Sequence, residues 1–246
     1  MRILLNPLYL LWRIWFYLMM GIPLIIFFPL LAILVSKEKW YPHFYTAARI
    51  WAGFILYASG FIALRKNGSF YQEGKSFMFV ANHTSMLDIF QMFYSVKNPF
   101  VFVGKKELTK IPVFGFFYKR SAILVDRNDP KSKLSVFTQA QHKINLGYSI
   151  CIFPEGGVPE DESIILDKFK DGAFRLSIDH NLPIVPLVFP DNKKRFSYTF
   201  FSGSLGKSRS YILPPIPVQE YDMKDRKDLK QKVYDTIYNE LVKLNS

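Results

Sequence analysis

Residues 77–88 read FMFVANHTSMLD and contain the most informative pattern in this chain. The apolar residues at its start are typical of a short buried strand, and His83 follows closely. Asp88 comes five positions after His83, so a helix beginning just beyond His83 would place Asp88 a little over one turn away. A carboxylate can then hold the imidazole in one tautomer, as in a general base. Alone, this spacing is more often accidental, so the prediction depends on the rest of the chain.

The composition indicates one large domain, or a domain with an appendage. The chain has 246 residues, of which 50% are hydrophobic and 17% aromatic, enough to build a sizeable core. The single cysteine, Cys151, excludes an intrachain disulfide and a cysteine-based metal site. The four histidines lack the spacing of metal ligands, so we expect no metal.

The net charge of +12 predicts anionic partners. Residues 97–133 contain nine Lys/Arg against three acidic residues. From charge alone, nucleic acid, an anionic membrane surface and a phosphorylated small molecule all remain possible partners.

The N-terminal part predicts membrane attachment. Residues 14–35 include no charge and are flanked by Arg13 and Lys37. About 20 apolar residues are enough to cross a bilayer. Pro23 and Pro29 interrupt the segment, so a straight helix is not expected.

A second apolar run, residues 50–64, is short for a span and predicts an interfacial or re-entrant helix. Either the first segment spans once, or the pair forms a hairpin in one leaflet. The alternative is a pair of core helices in a soluble protein. We therefore expect a membrane-embedded segment at residues 1–64 and a separate body at residues 65–246.

The body alternates short apolar runs with amphipathic stretches, which predicts an α/β domain. The expected strands are residues 77–81, 100–103, 122–125, 149–153, 184–189 and 198–202. The expected helices are residues 85–94, 131–146, 172–180 and 227–244. Prolines 214, 215 and 217 indicate an extended piece before the last helix, which we expect to be docked and structural.

Residues 153–157, FPEGG, form a second candidate site. Glu155 follows an expected strand, and in open α/β sheets ligands bind beyond the carboxyl ends of strands. Gly156 and Gly157 would let the backbone approach a ligand closely. The alternative is a surface turn with a solvated glutamate.

Basic residues provide candidate anion contacts. Lys105 and Arg127 bracket a basic stretch, and Lys168 or Lys170 could reach the same site. The alternative for each is a solvated cationic surface.

Taken together and in this order, these segments resemble the membrane glycerolipid acyltransferases, specifically the 1-acylglycerol-3-phosphate acyltransferases. The family motif N-H-x-x-x-x-D matches residues 82–88, and its basic G-x-x-x-[LIF] block with a following arginine matches residues 104–127. Its F-P-E-G motif matches residues 153–156, and its P-[IV]-[VI]-P strand matches residues 183–186. The resemblance covers residues 65–215.

The resemblance implies a mixed, largely parallel sheet flanked by helices. It implies acyl transfer from acyl-CoA or acyl-carrier protein to the free hydroxyl of a lysophospholipid, giving phosphatidic acid from 1-acylglycerol 3-phosphate. His83 would be the base and Asp88 its orienting partner, without a protein nucleophile. Backbone N–H groups near Gly156 and Gly157 would receive the oxyanion, and Glu155 would orient the acceptor or the loop.

The resemblance also implies that Asn82 lines the substrate site and that no cofactor is needed beyond the acyl donor. The partners would be membrane lipids, the lysophosphatidic acid acceptor and the donor, without nucleic acid. The body would lie on the cytoplasmic side of the cell membrane, where thioester donors are found, in agreement with the basic flanks of the apolar segment.

One position departs from the family pattern. Many members continue F-P-E-G with Thr-Arg-Ser, whereas this chain has Val158 where that arginine would fall. The acceptor phosphate would then depend on Lys105, Arg127 and either Lys168 or Lys170. Alternatives are O-acylation of another lyso-lipid, such as an N-acyl amino-acid lipid, and a non-catalytic membrane-tethered lipid-binding protein.

Overall fold

A computed structural model of the protein describes residues 2–67, 70–126, 128–161 and 163–245, leaving out the side chains of residues 2–5 and 133. Within these residues the helices are α1 Arg2–Ile26, α2 Phe28–Ser36, α3 Tyr41–Ala58, α4 Leu87–Ser95, α5 Phe114–Ser121, α6 Pro130–Asn145, α7 Gly172–Asp179, α8 Asn192–Arg195 and α9 Arg226–Asn245. Short 3-10 helices cover Glu38–Trp40 and Lys106–Lys110.

The strands of the described residues are β1 Phe61–Lys66, β2 Met78–Ala81, β3 Phe100–Lys105, β4 Ile123–Val125, β5 Ser149–Ile152, β6 Ile184–Val188 and β7 Gly206–Ile212. Their order in the sheet is β1-β7-β6-β2-β5-β3-β4. Strands β4, β3, β5, β2 and β6 are parallel neighbours, and β7 pairs with β6 in the antiparallel sense. The predicted α/β fold with a mixed, largely parallel sheet is therefore confirmed.

The chain folds as two compact units, each assembled from separate segments. The first unit contains Met1–Lys66, Thr84–Val96 and Phe189–Ser210. Its core is a cluster of fully buried side chains: Phe16, Ala52, Ile55, Leu56, Phe61, Ala63, Leu87, Phe90 and Phe196. The middle of α1 is joined to the C-terminal end of α3, because the Trp12 and Trp15 indoles donate to the carbonyl oxygens of Ser59 and Ala58.

The second unit contains Asn67–His83, Lys97–Val188 and Tyr211–Ser246. Its central strands are apolar runs that are buried along their length, as expected for parallel strands covered on both faces. The last helix, α9, buries Leu229, Val233, Ile237 and Leu241 along one face. Its Lys230 lies 2.7 Å from the Asp171 carboxylate at the start of α7. The prediction of a docked, structural last helix is confirmed.

The N-terminal apolar helix is present, although its bounds differ from those predicted. Among the described residues one helical segment, Asn6–Ile26, is long and apolar enough to cross a membrane. Only 11% of its apolar 18-residue stretch is buried within the protein. The helix breaks at Phe27, and Pro29 stands in the first turn of α2, so the predicted interruption near Pro29 is confirmed. Helix α1 continues through Pro23, so a break at that proline is wrong. The division into residues 1–64 and 65–246 concerns membrane attachment and stays a prediction.

The prediction of a helix along residues 50–64 is wrong in its second half. Helix α3 ends at Ala58, and Gly60 has a φ of +86°, a conformation that favours glycine and ends the helix. The chain then alternates buried and exposed residues as strand β1. The apolar composition runs through both elements, and only Gly60 marks the change.

The predicted strand at residues 198–202 is also wrong. These residues form a turn whose backbone carbonyl groups accept hydrogen bonds from the Arg13 side chain, and the strand comes later, as β7. Strand β7 was not predicted because two of its inward-facing residues, Ser208 and Ser210, are polar although fully buried. The alternation of apolar and polar residues that identifies a strand has apolar residues at such positions.

Candidate active site

The sequence-predicted residues of the second unit gather at one edge of the parallel sheet. Strands β2, β5 and β3 are adjacent and in register, with Val80 opposite Ile152 and Phe102 opposite Cys151. Their carboxyl ends therefore lie at the same edge. Asn82 and His83 follow β2, Lys105 ends β3, and residues 153–157 follow β5. This edge is where ligands bind in open α/β sheets.

His83 is held by two contacts with the segment after β5. Its imidazole stacks on the Phe153 ring, with ring centroids 4.2 Å apart and an interplanar angle of 15°. Its backbone N–H donates to Glu155 Oε1 at 2.5 Å. The side chain is half-buried, while the preceding Asn82 is only 1% exposed. The backbone and the ring plane of His83 are therefore both fixed, while part of the side chain stays accessible.

Glu155 ties two loops together. The residue is 3% exposed; Oε1 accepts from His83, and Oε2 accepts from the Asp167 backbone N–H at 2.9 Å. A buried carboxylate is stable only where donors replace its lost water. The alternative of a solvated surface glutamate is wrong. The geometry favours the loop-orienting role over contact with the acceptor.

The two glycines after Glu155 differ in what surrounds them. Gly156 has a φ of +80°, its N–H donates to the Phe153 carbonyl oxygen at 3.0 Å, and Lys170 Nζ would lie 2.7 Å from an added Cβ. Its N–H is therefore engaged in the turn, which argues against its use as an oxyanion donor. A Cβ on Gly157 would meet no described atom within 4 Å. The Cβ side of Gly157 is therefore open among the described residues.

Asp88 lies in the first unit, in the first turn of α4, and is fully buried. Its Oδ2 accepts from the backbone N–H groups of Thr84 and Ser85, at 2.6 and 2.8 Å. Its Oδ1 accepts from Asn192 Nδ2 at 2.8 Å. Helix α4 begins only at Leu87, later than predicted, because residues 84 and 85 wrap around this carboxylate instead of entering the helix.

Asn192 connects Asp88 to a buried polar chain within the first unit. Asn192 Oδ1 accepts from the Ser208 hydroxyl at 2.5 Å, and Gln91 Nε2 donates to the Ser208 carbonyl oxygen at 3.0 Å. All four of these side chains are fully buried. A satisfied buried network of this kind fixes the orientation of its members.

The lysine and arginine residues predicted to contact an anion differ in where the structure places them. Lys105 and Lys168 are exposed, and Arg127 lies outside the described residues. Lys170 is also exposed, but its backbone N–H donates to the Pro154 carbonyl oxygen at 2.8 Å, which places it beside the turn at Gly156. Of the two lysines at 168 and 170, the structure therefore brings Lys170 to the site.

Within the basic stretch of residues 104–127, two glycines lie very close to neighbouring atoms of the same stretch. A Cβ on Gly104 would lie 1.9 Å from the Tyr118 hydroxyl, and one on Gly115 would lie 2.1 Å from the Thr109 carbonyl oxygen. Helix α5, absent from the sequence prediction, packs here. Packing therefore requires glycine at position 115, where the neighbour is backbone, whereas a Cβ at position 104 would require the Tyr118 side chain to move.

Sequence reasoning placed Phe153 in a candidate site without giving it a role, and it missed Asn192. Phe153 belongs to the F-P-E-G motif, but its stacking on His83 has no local signal. Asn192 comes four residues after the end of β6. Ligands in open α/β sheets bind beyond the carboxyl ends of strands, so the residues after β6 were candidates for the same reason as those after β2 and β5.

The fold and the held histidine define a mixed α/β protein with a candidate catalytic site at the carboxyl edge of its parallel strands. Residues 63–190 match the Acyltransferase family, and the chain belongs to this family.

Two relatives are similar to this chain in sequence, and one solved structure shares its fold. The chain is 29% identical over 170 residues to the 1-acyl-sn-glycerol-3-phosphate acyltransferase of Haemophilus influenzae, covering 68% of this chain and 69% of the relative. It is 31% identical over 146 residues to the enzyme of the same name from Salmonella typhimurium, covering 58% of each. The crystal structure of the 1-acyl-sn-glycerophosphate acyltransferase PlsC from Thermotoga maritima shares the fold, with a TM-score of 0.81 and 18% identity, covering 100% of this chain and 98% of that one.

Proposed function

We propose that this protein transfers an acyl chain from an acyl thioester to the free hydroxyl of 1-acylglycerol 3-phosphate, giving phosphatidic acid. The observation that carries the proposal is His83, whose ring is stacked and whose backbone is anchored at the ligand-binding edge of the sheet. The names of the relatives from Haemophilus influenzae and Salmonella typhimurium support the choice of acceptor. Acyl-CoA and acyl-carrier protein are both suitable donors.

The proposed reaction needs no covalent enzyme intermediate. His83 takes the proton of the acceptor hydroxyl as its oxygen attacks the thioester carbonyl carbon. The new C–O bond leaves a tetrahedral oxyanion, which collapses and breaks the C–S bond. The departing thiolate takes the proton from the His83 imidazolium, and the enzyme returns to its starting state.

In this mechanism Asp88 orients His83 and stabilises the imidazolium, as the carboxylate of a Ser-His-Asp triad does. The donors from Thr84, Ser85 and Asn192 support that role, because they keep the carboxylate in one orientation in a buried environment. A rigid carboxylate loses little orientational freedom when the imidazolium forms.

We assign the oxyanion to the backbone N–H of Gly157, since the Gly156 N–H is engaged in the turn. Among the described cationic residues, Lys170 beside Gly156 is the one best placed to attract the acceptor phosphate, and we propose Lys105 and Arg127 as further contacts. Val158, which departs from the Thr-Arg-Ser continuation of the family pattern, favours a second candidate function, O-acylation of a lyso-lipid without a phosphate at that place.

Attachment of the protein to the cell membrane fits an acceptor that resides in the bilayer. The exposed apolar helix α1 supports this attachment. We propose that the second unit faces the cytoplasm, where thioester donors are found.

The test is a thioester-consumption assay on purified protein, run with lysophosphatidic acid, with a lyso-lipid lacking the phosphate, and without acceptor. Turnover that occurs only when lysophosphatidic acid is the acceptor supports the first function. Turnover that occurs only when the phosphate-free lyso-lipid is the acceptor supports the second. His83→Ala should lower kcat by about 10²–10⁴-fold. The matched control is His180→Ala, which removes a histidine paired with Gln141 on α6. Activity of folded His83→Ala within a few-fold of the control would refute the mechanism.

A further inference from the structure

Residues 198–205, hereafter the aromatic loop, expose an unusual amount of apolar surface for one short turn. The exposed fractions are 56% for Tyr198, 44% for Phe200, 50% for Phe201 and 60% for Leu205. Single exposed apolar residues are common on protein surfaces, but a contiguous group marks an interaction site. The proposed acyl transfer gives this loop no role.

The aromatic loop is firmly anchored within the first unit. Arg13 is 3% exposed, and its Nη2 donates to the carbonyl oxygens of Ser197, Thr199 and Ser202, at 2.6, 2.9 and 3.3 Å. The guanidinium also lies 5.0 Å from the centre of the Phe200 ring. An anchored loop presents its rings without a large entropic cost on binding.

The same anchor joins the loop to the helix that is apolar enough to enter a membrane. Arg13 belongs to α1, and the neighbouring Trp12 ring would lie 2.9 Å from a Cβ on Gly203 in the loop. On α1, Leu11 is 62% exposed and Trp15 is 47% exposed. The aromatic loop thus contacts α1 next to exposed apolar residues of that helix.

Charge indicates what covers this surface. Residues 193–207 include Lys193, Lys194, Arg195 and Lys207 and no acidic residue. Aromatic side chains bordered by cations are typical of elements that lie in the interface of an anionic bilayer. Irregular backbone does not occur in contact with the hydrocarbon interior, so the loop belongs at headgroup depth.

We propose that the aromatic loop is a second membrane-contacting element, which inserts Tyr198, Phe200, Phe201 and Leu205 into the headgroup–acyl boundary of an anionic bilayer beside α1. The hydrogen bonds from Arg13 fix the depth of α1 relative to this boundary. The loop then aligns the first unit with the membrane surface.

The chain is well suited to a depth measurement with a cysteine-linked probe. Its single cysteine, Cys151, is fully buried, and burial raises the pKa of this thiol, so it should not compete for the label. Phe201→Cys, labelled with an environment-sensitive fluorophore, places the probe on the loop. Ser135→Cys on α6, an exposed polar position, is the matched control.

Full-length labelled protein is reconstituted into vesicles of phosphatidylcholine and phosphatidylglycerol, with or without nitroxide-bearing lipids. At position 201 we expect a blue-shifted emission and nitroxide quenching several-fold stronger than at position 135. Equal, weak quenching at both positions would overturn the proposal. A blue shift at 201 without nitroxide quenching would also overturn it, because the occupant would then be protein. The measurement uses no substrate, so its outcome is independent of the proposed function.

Discussion

Replacing Glu155 with glutamine distinguishes a loop-anchoring carboxylate from a substrate-binding one. The carboxylate accepts one backbone N–H on each oxygen, from His83 and from Asp167. A glutamine keeps the shape but has a single acceptor oxygen, so its amide group would face one of these N–H donors. One charge-assisted hydrogen bond is lost and one N–H of the site is left without its acceptor.

The loss of a hydrogen bond to a charged group costs about 1.5–3 kcal/mol. For a chain of this length, about 2 kcal/mol lowers the unfolding temperature by roughly 4–8 °C. Because either loss weakens the link between the His83 backbone and the loop at Asp167, we expect kcat to fall while the acceptor KM changes little. The measurements are thermal unfolding and steady-state kinetics on the same preparation.

Glu160→Gln is the matched control, since Glu160 is an exposed carboxylate in the same loop. It should leave both the unfolding temperature and kcat unchanged. If Glu155→Gln instead keeps the wild-type unfolding temperature and kcat and raises the acceptor KM alone, Glu155 contacts the substrate and the anchoring role is refuted.

Three further outcomes follow from buried groups. Asn192→Leu should destabilise the protein by about 1.5–3 kcal/mol in urea unfolding, because Asp88 loses a donor, and should lower kcat more than it changes KM. Burial raises the pKa of Asp191, but hydrogen bonds from Arg209 outweigh this effect and lower the pKa overall. The pair therefore stabilises the fold above about pH 4, and this stabilisation is lost as the pH falls further. The destabilisation caused by Asp191→Asn should be largest at neutral pH and smaller in acid. Cys151 should resist thiol reagents in the native protein and react fully in denaturant, as a colorimetric thiol assay would record.

The sequence was sufficient to predict those strands that a local run of apolar residues identifies. Strands β2, β3, β5 and β6 are short apolar runs bounded by polar residues, so their positions were predicted within a residue or two. Strand β1 was missed because the apolar composition of α3 continues through it. Strand β7 was missed because Ser208 and Ser210 face inward, and their hydroxyl groups are satisfied by partners that no local pattern reveals.

The same distinction applies to the candidate site. His83 and Glu155 were predicted because they follow expected strands, and that rule requires only the order of elements. Asn82 was predicted only because the family motif includes it. The contact between the His83 backbone and Glu155 joins residues 72 positions apart, and that between Asn192 and Asp88 joins residues 104 positions apart. Such pairs depend on tertiary packing, which hydrophobic periodicity does not specify.

Physical chemistry nevertheless narrows the search for such partners. A carboxylate as deeply buried as Asp88 requires several donors, and its two nearest backbone N–H groups satisfy only one of its oxygens. The second oxygen needs a donor from elsewhere in the chain, and an uncharged amide provides one without adding a charge to the interior. Asn192, one of the polar residues that follow β6, meets this requirement. A buried carboxylate in a motif is therefore a reason to examine polar residues after the other strands, even where no motif marks them.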